Sequence, residues 1–234
     1  MALPKLQIPE YDLVLPSTQE TIRYRPFLVK EEKILLLAME SDDNKQVNDS
    51  ISRIISECTF GELDAKKIPV FDLEYAFLQI RSKSVGETVD IKVTCPDDGK
   101  TKVSIKLDLS EVGVQMSVDH TNVIELTDDI KMIMSYPTLF SSSASEGESD
   151  TETVFKLMQS CISEIHFGDD VYRDVDISKK ELDEFFDSLT SDMLAKVQEF
   201  FETMPKLRHI IDVKNPKTKK KNEVMLEGLG DFFS

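Results

Sequence analysis

The chain has 234 residues, 40% of them hydrophobic and 31% charged, which is enough apolar material for a packed core and too much for a wholly disordered polymer. Its 28 basic and 44 acidic side chains leave a net charge of −16, so a broad nucleic-acid footprint is disfavoured by repulsion from phosphate. The longest apolar run, 34–39, falls far short of the ~20 residues that cross a bilayer, and the start, Met1-Ala2-Leu3-Pro4-Lys5, lacks the charged and apolar regions of a secretory signal.

Leu6, Ile8 and Leu13-Val14-Leu15 are interrupted by Pro9 and Pro16, which remove ladder donors and point to edge strands or an arm. After the turn residues Ser17-Thr18, the alternation of Thr21-Ile22-Arg23-Tyr24-Arg25 completes a hairpin over roughly 10–28. Ile34, Leu35, Ala38 and Met39 then follow helical spacing behind Glu31 and Glu32, carboxylates that suit a helix N-terminus. Val47, Ile51, Ile54, Ile55 and Cys58 form the stripe of a second helix. Asp72 is expected to cap a third, with Leu73, Ala76, Phe77 and Ile80 inward. Strict alternation on both sides of Pro96-Asp97-Asp98-Gly99 predicts a β-hairpin over 88–108. Residues 112–126 have weaker extended character.

Thr127-Asp128-Asp129 before Ile130, Ile133 and Met134 reads as a capped short helix, and 141–150 as a polar loop. Val154, Leu157, Met158, Cys161 and Ile165 share one helical face. A short extended piece covers 171–177. Ser178 with Glu181 is a capping box for a helix carrying Leu182, Phe185, Phe186 and Leu189. Thr190 starts another, with Met193, Val197, Phe200 and Phe201 as core. A closing hairpin spans 207–227 around Asn215-Pro216-Lys217. The predicted class is α+β, with antiparallel β-hairpins at the N-terminus, middle and C-terminus packed with amphipathic helices. The expected lobes are 1–140 and 151–234 joined by the loop 141–150, or one interwoven domain.

Charge is unevenly spread: net −8 over 1–140, −11 over 141–205 and +3 over 206–234. The positive excess lies in Lys217, Lys219, Lys220 and Lys221, a solvated hairpin tip or a docking point for an acidic surface. The tail Leu229-Gly230-Asp231-Phe232-Phe233 either folds back on its own core or inserts into a neighbour. Leu229, Phe232, Phe233 and the four lysines are therefore the candidate partner-binding residues. Deleting 229–234 is expected to leave the monomer folded and to abolish partner binding.

Catalytic motifs are missing. Gly99-Lys100-Thr101 has threonine at position 94, where a phosphate-binding loop needs glycine. There is no G-x-S-x-G, and His120, His166 and His209 lack metal spacing. Cys58, Cys95 and Cys161 are too few and too scattered for a disulfide framework, and read as buried thiols. Cys95-Pro96-Asp97-Asp98-Gly99 has the shape of a zinc-ribbon knuckle, C-P-x-C-G, with Asp98 in the second thiolate position and no cysteine in the closing hairpin. No catalytic residue, cofactor or metal is expected.

The stretch Leu13-Val14-Leu15-Pro16-Ser17-Thr18 and Ile22-Arg23-Tyr24-Arg25-Pro26-Phe27-Leu28-Val29-Lys30-Glu31-Glu32-Lys33-Ile34-Leu35-Leu36 resembles the opening of the baseplate-hub proteins of T4-like contractile-tailed bacteriophages. Phe71-Asp72-Leu73-Glu74-Tyr75, Leu78-Gln79-Ile80-Arg81-Ser82-Lys83-Ser84-Val85-Gly86-Glu87, Met204-Pro205-Lys206-Leu207 and Leu226-Glu227-Gly228-Leu229-Gly230-Asp231-Phe232-Phe233 extend the likeness along nearly the whole chain. The resemblance implies a hub subunit or assembly chaperone. It would bind other hub or tail proteins in the host bacterial cytoplasm or in the virion baseplate, with no cofactor; the charge balance and the short apolar runs are what argue against nucleic-acid and membrane partners. A cytoplasmic adaptor unrelated to phage and an enzyme using an Asp/Glu pair are the competing classes.

Overall fold

A computed structural model describes residues 6–40, 44–141 and 149–232. In chain order the first elements are β1 (Tyr11–Val14), β2 (Thr21–Tyr24), α1 (Val29–Glu40), α2 (Asn44–Cys58) and α3 (Val70–Val85). Next come β3 (Thr88–Thr94), β4 (Lys102–Asp108), β5 (Gly113–Gln115), β6 (Val123–Glu125) and β7 (Ile130–Met134). Then follow α4 (Asp150–Ser160), β8 (Ile162–Phe167), β9 (Asp170–Arg173), α5 (Lys179–Asp187) and α6 (Ser191–Thr203). The strands β10 (Lys206–Lys214) and β11 (Lys221–Glu227) and the single turn α7 (Gly228–Phe232) finish the described chain. All strand pairs are antiparallel, and the class is α+β.

Residues 1–115 with 206–234 form one compact unit, and 116–205 form the other. This differs from lobes at 1–140 and 151–234. The cause is a long-range pairing: β10 is the middle strand between β11 and β5, with Leu207 opposite Val114. Periodicity within a segment carries no information about such a partner. The predicted polar loop lies outside the described residues over 142–148, and its last members, Ser149 and Asp150, are the cap and first residue of α4.

In the first unit, alternate residues of the two long hairpins point inward. Ile91, Val93 and Leu107 meet Leu207, Ile211, Val213 and Leu226 beside Leu78 of α3. The N-terminal hairpin spans 11–24, and Ile54, Ile55 and Cys58 of α2 are fully enclosed. Two carboxylates have other tasks than those expected. Asp72 is not the cap of α3; Pro69 holds that position without a side-chain hydrogen bond. Asp72 is instead buried and accepts bonds from the N–H and hydroxyl of Ser17, tying the first turn to α3. Glu31 is fully enclosed, where Arg25 meets it at 2.7 Å and the N–H of Leu28 donates to it at 2.8 Å.

The second unit is a four-stranded sheet, β6-β7-β8-β9, covered by helices. Residues 130–134 are a strand, correcting the expected helix. Ile130, Met132 and Met134 also alternate, and so short a run fits both periods. Pairing with β8, Met132 opposite Ile165, decides between them. Ile165 accordingly is not on the α4 face: α4 ends at Ser160, and Cys161 is its C-cap. Ser178 and Glu181 form the expected capping box, and Thr190 accepts from the N–H of Met193. Of the expected extended piece 171–177, only its start belongs to β9.

Candidate binding surfaces

The predicted partner-binding residues do not converge. Lys217, Lys219, Lys220 and Lys221 are exposed at the tip of β10–β11, whereas Leu229 and Phe232 lie beyond the other end of β11. A strand of this length separates them by roughly 20 Å. Phe232 is fully buried in the core of its own unit, so for this residue the tail folds back. Leu229 is half-buried, and its N–H donates to Glu74 at 3.2 Å. Burial pushes the Glu74 carboxyl up to about 7, against the lowering effect of that bond. Phe233 lies outside the described residues. The segment 229–232 is thus part of the packing, and deleting 229–234 removes a core aromatic.

The lysine tip is held by a clasp between two turns of the same design. In the β3–β4 turn the Cys95 N–H donates to the Thr101 carbonyl at 2.8 Å, and the Gly99 N–H to the Cys95 carbonyl at 3.0 Å. In the β10–β11 turn the Asn215 N–H donates to the Lys220 carbonyl and the Lys219 N–H to the Asn215 carbonyl, both at 2.9 Å. Proline follows the first residue of each turn. Gly99 and Lys219 occupy the same left-handed position, at φ 63° and 65°. The Asn215 side-chain oxygen accepts from the N–H groups of Lys217 at 2.8 Å and Thr218 at 3.2 Å. Asp98 likewise accepts from Lys100 at 3.0 Å and Thr101 at 2.9 Å.

Asp97 joins the two turns. It accepts from the Asn215 amide at 2.8 Å and from the Thr218 hydroxyl, while its own N–H donates to Asn222 at 3.2 Å. The Thr218 and Asn215 bonds hold its carboxyl below the usual range. Hydrogen bonds from Thr101 do the same for Asp98. Both turns share the hydrogen-bond pattern of the hairpin turn read at Cys95, and Asp97 bonds one to the other. Positions 95, 98, 215 and 218 hold Cys, Asp, Asn and Thr. Among the described residues no cluster of three or more His, Cys, Asp or Glu is arranged to hold a metal ion. Sequence reasoning missed the Asp97–Asn215 contact; the shared x-Pro start of both turns was its only signal.

The second unit carries most of the net charge. It has 6 basic and 20 acidic side chains, net −14, while the first has 22 and 24, net −2. On its surface is a trough of about 410 Å³ walled by Ile130, Ile165, Phe167, Tyr172, Ile177 and Phe185, with the carboxylates Asp176 and Glu181 also lining it. Phe186 is buried, but Phe185 is half-buried against the trough and Phe167 is exposed.

Two of the histidines have structural partners. His120 bonds Thr203 at 2.9 Å and Tyr136 at 3.1 Å, and burial lowers its pKa. His166 meets Glu164 at 2.8 Å. Burial pushes the Cys58 thiol up to about 12 and Cys161 up to about 11. Burial, with Asp97 and Asp98 nearby, raises Cys95. All three thiols are therefore protonated at neutral pH, and a protonated thiol is a poor nucleophile. No described helix is long and apolar enough to cross a membrane.

The described surfaces thus include a basic tip on one α+β unit and an acidic-rimmed apolar trough on the other. The comparisons make the family specific. The family model "T4 bacteriophage base plate protein" matches residues 8–234, so the chain belongs to that family and is a phage baseplate protein. It is 22% identical over 228 residues to the Baseplate hub assembly protein gp26 of Enterobacteria phage T4, covering 96% of this chain and 98% of that protein. No solved structure matches the chain.

Proposed function

We propose that the chain acts in baseplate hub assembly by binding other baseplate proteins in the infected bacterial cell, without catalysing a reaction. The observation that carries this reading is the match along the full length: a relative named as a hub assembly protein aligns over 98% of its own chain. The physical features agree with it. The charge is segregated, the lysine tip is braced by the clasp, and an apolar trough is open to solvent. The raised carboxyl of Glu74 is the best candidate for enzyme chemistry, yet it is used in seating α7.

The test is recovery of partners from infected cells. A tagged full-length chain should bring down baseplate proteins during assembly, and purified particles should be probed for the chain itself. Presence in particles marks a subunit; recovery only from the lysate marks a transient assembly factor. If no baseplate protein is recovered at either stage, the reading is wrong.

A further inference from the structure

The trough is the uncovered end of the second unit's own core. In the ladder β7-β8-β9, Ile130 lies opposite Phe167, and Met132 opposite Ile165, which in turn faces Tyr172. Side chains alternate across a sheet, so these residues share one face. The helices bury Met132 completely and Ile165 nearly so, but Phe167 and Tyr172 remain 52% and 48% exposed. Half-exposed aromatics beside a formed concavity are the surface that another molecule's apolar side chains cover.

Charge selects the partner. Asp176 and Glu181 line the trough, and Asp170 lies on the same sheet face, opposite Phe167. The cations of the sheet, Lys131, His166 and Arg173, all fall on the other face by the same register. There Lys131 meets Glu125 at 2.9 Å and His166 meets Glu164 at 2.8 Å. Among the described residues no cation lines the trough, and its unit is net −14. Anionic occupants, including nucleic acid and acidic lipid surfaces, are repelled. The most basic run of this chain itself, the tip 217–221, has no apolar side chain to fill the space.

We propose that this trough docks an apolar segment of another baseplate protein, flanked by lysine or arginine side chains. The proposal deepens the hub-assembly reading and rests on it. The apolar side chains cover Phe167 and Tyr172, and the flanking cations face Asp176 and Glu181. The charged rim speeds encounter and makes binding sensitive to salt. β9 is the outer strand of its described sheet, so an extended segment can also lie alongside that edge.

A matched pair of variants tests this. Phe167→Asp puts a charge in the trough, whereas Val171→Asp puts the same charge on the opposite face of the same sheet edge, at a residue 48% exposed. Each tagged full-length variant is expressed in infected cells, and bound baseplate proteins are quantified by mass spectrometry. A third version carries the photo-cross-linker benzoylphenylalanine at position 167. Phe167→Asp should reduce recovery of one baseplate protein about thirtyfold, as for an interface aromatic, while Val171→Asp retains it. Recovery by the unmodified chain should fall as salt rises, and the cross-linked peptide should carry more Lys and Arg than Asp and Glu. Equal recovery by both variants, equal loss by both, or a cross-link to an acidic peptide or to a second copy overturns the proposal. Thermal unfolding checks that each variant is folded; Tyr172→Ser replaces Phe167→Asp if the latter is not. If the unmodified chain recovers no baseplate protein, the hub reading fails; if it recovers them and Phe167→Asp does too, only the trough assignment fails.

Discussion

Replacing Glu31 by glutamine removes a charge from the interior of the first unit while keeping its shape. Glu31 is 0% exposed and receives the Arg25 guanidinium at 2.7 Å, the Leu28 N–H at 2.8 Å and the Lys30 ammonium at 3.0 Å. Burial alone would raise its pKa, but the bonds from Arg25, Lys30 and Leu28 outweigh it and lower the value from 4.5 to about 2. At ~1.4 kcal/mol for each tenfold change in proton affinity, this preference for the charged form is worth ~3 kcal/mol. An independent figure is close: breaking a buried ion pair from one side costs about 3–5 kcal/mol. The folded pKa lies below the unfolded one, so the stabilisation is complete above about 4.5, falls as pH drops towards 2, and is absent below. Glu31→Gln lacks it at every pH. Its Tm at neutral pH should therefore be lower by roughly 6–12 °C, and the gap should close on acidification. Circular dichroism melts of both proteins from about pH 7 to about pH 2.5 measure this. A gap that stays constant in acid, or none at neutral pH, would refute the assignment of the charge.

Asn215→Ala removes three hydrogen bonds from a fully buried side chain. It should cost about 2 kcal/mol in chemical denaturation, and an unchanged midpoint would show that the clasp does not fasten the hairpins. The triple substitution Asp98→Cys, Asn215→Cys and Thr218→Cys adds thiols to Cys95 at the knuckle positions. It should bind one zinc, or cobalt with the visible absorption of a tetrahedral thiolate site, whereas purified unmodified protein should contain no stoichiometric zinc. A folded triple variant without that absorption would show that the two turns are not spaced as a knuckle pair. Phe232→Ala should cost about 3–5 kcal/mol as a core truncation, while Lys219→Ala and Lys220→Ala stay within about 0.5 kcal/mol. Equal melting of Phe232→Ala and the unmodified chain would place Phe232 outside the core.

Local pattern made much of the fold legible. The alternation of 88–94 and 102–108, the stripe of α2 and the capping box at Ser178 all depend on neighbours in sequence, and each element is where its pattern put it. Ambiguity began where runs were short. Ile130, Ile133 and Met134 fit a helix as well as a strand, and only β8, some thirty residues later, resolves the choice. The same limit hid the role of Glu31. A carboxylate near a helix start is normally a surface complement to the dipole, and nothing local shows that Arg25 closes over it. The candidate surfaces were less legible than the fold. The lysine tip was visible as a charge run, but the burial of Phe232, the clasp to Asp97 and the uncovered end of the β8–β9 face depend on distant segments.

The interleaving of the two units sets an order of events during synthesis. Residues 116–205 are continuous and can fold as soon as they leave the ribosome. The unit made first in time must wait: β5 has no described strand beside it, and Leu78 and Ile91 lack Leu207, Ile211, Val213, Leu226 and Phe232 of their core, until 206–232 emerge with β10 and β11. A ribosome that stops anywhere before that point releases a chain with a sticky, half-covered sheet, exposed to proteolysis. The segment 206–232 thus closes the first unit, and the surface organised by β10 and β11, including the lysine tip, exists only on chains translated through it.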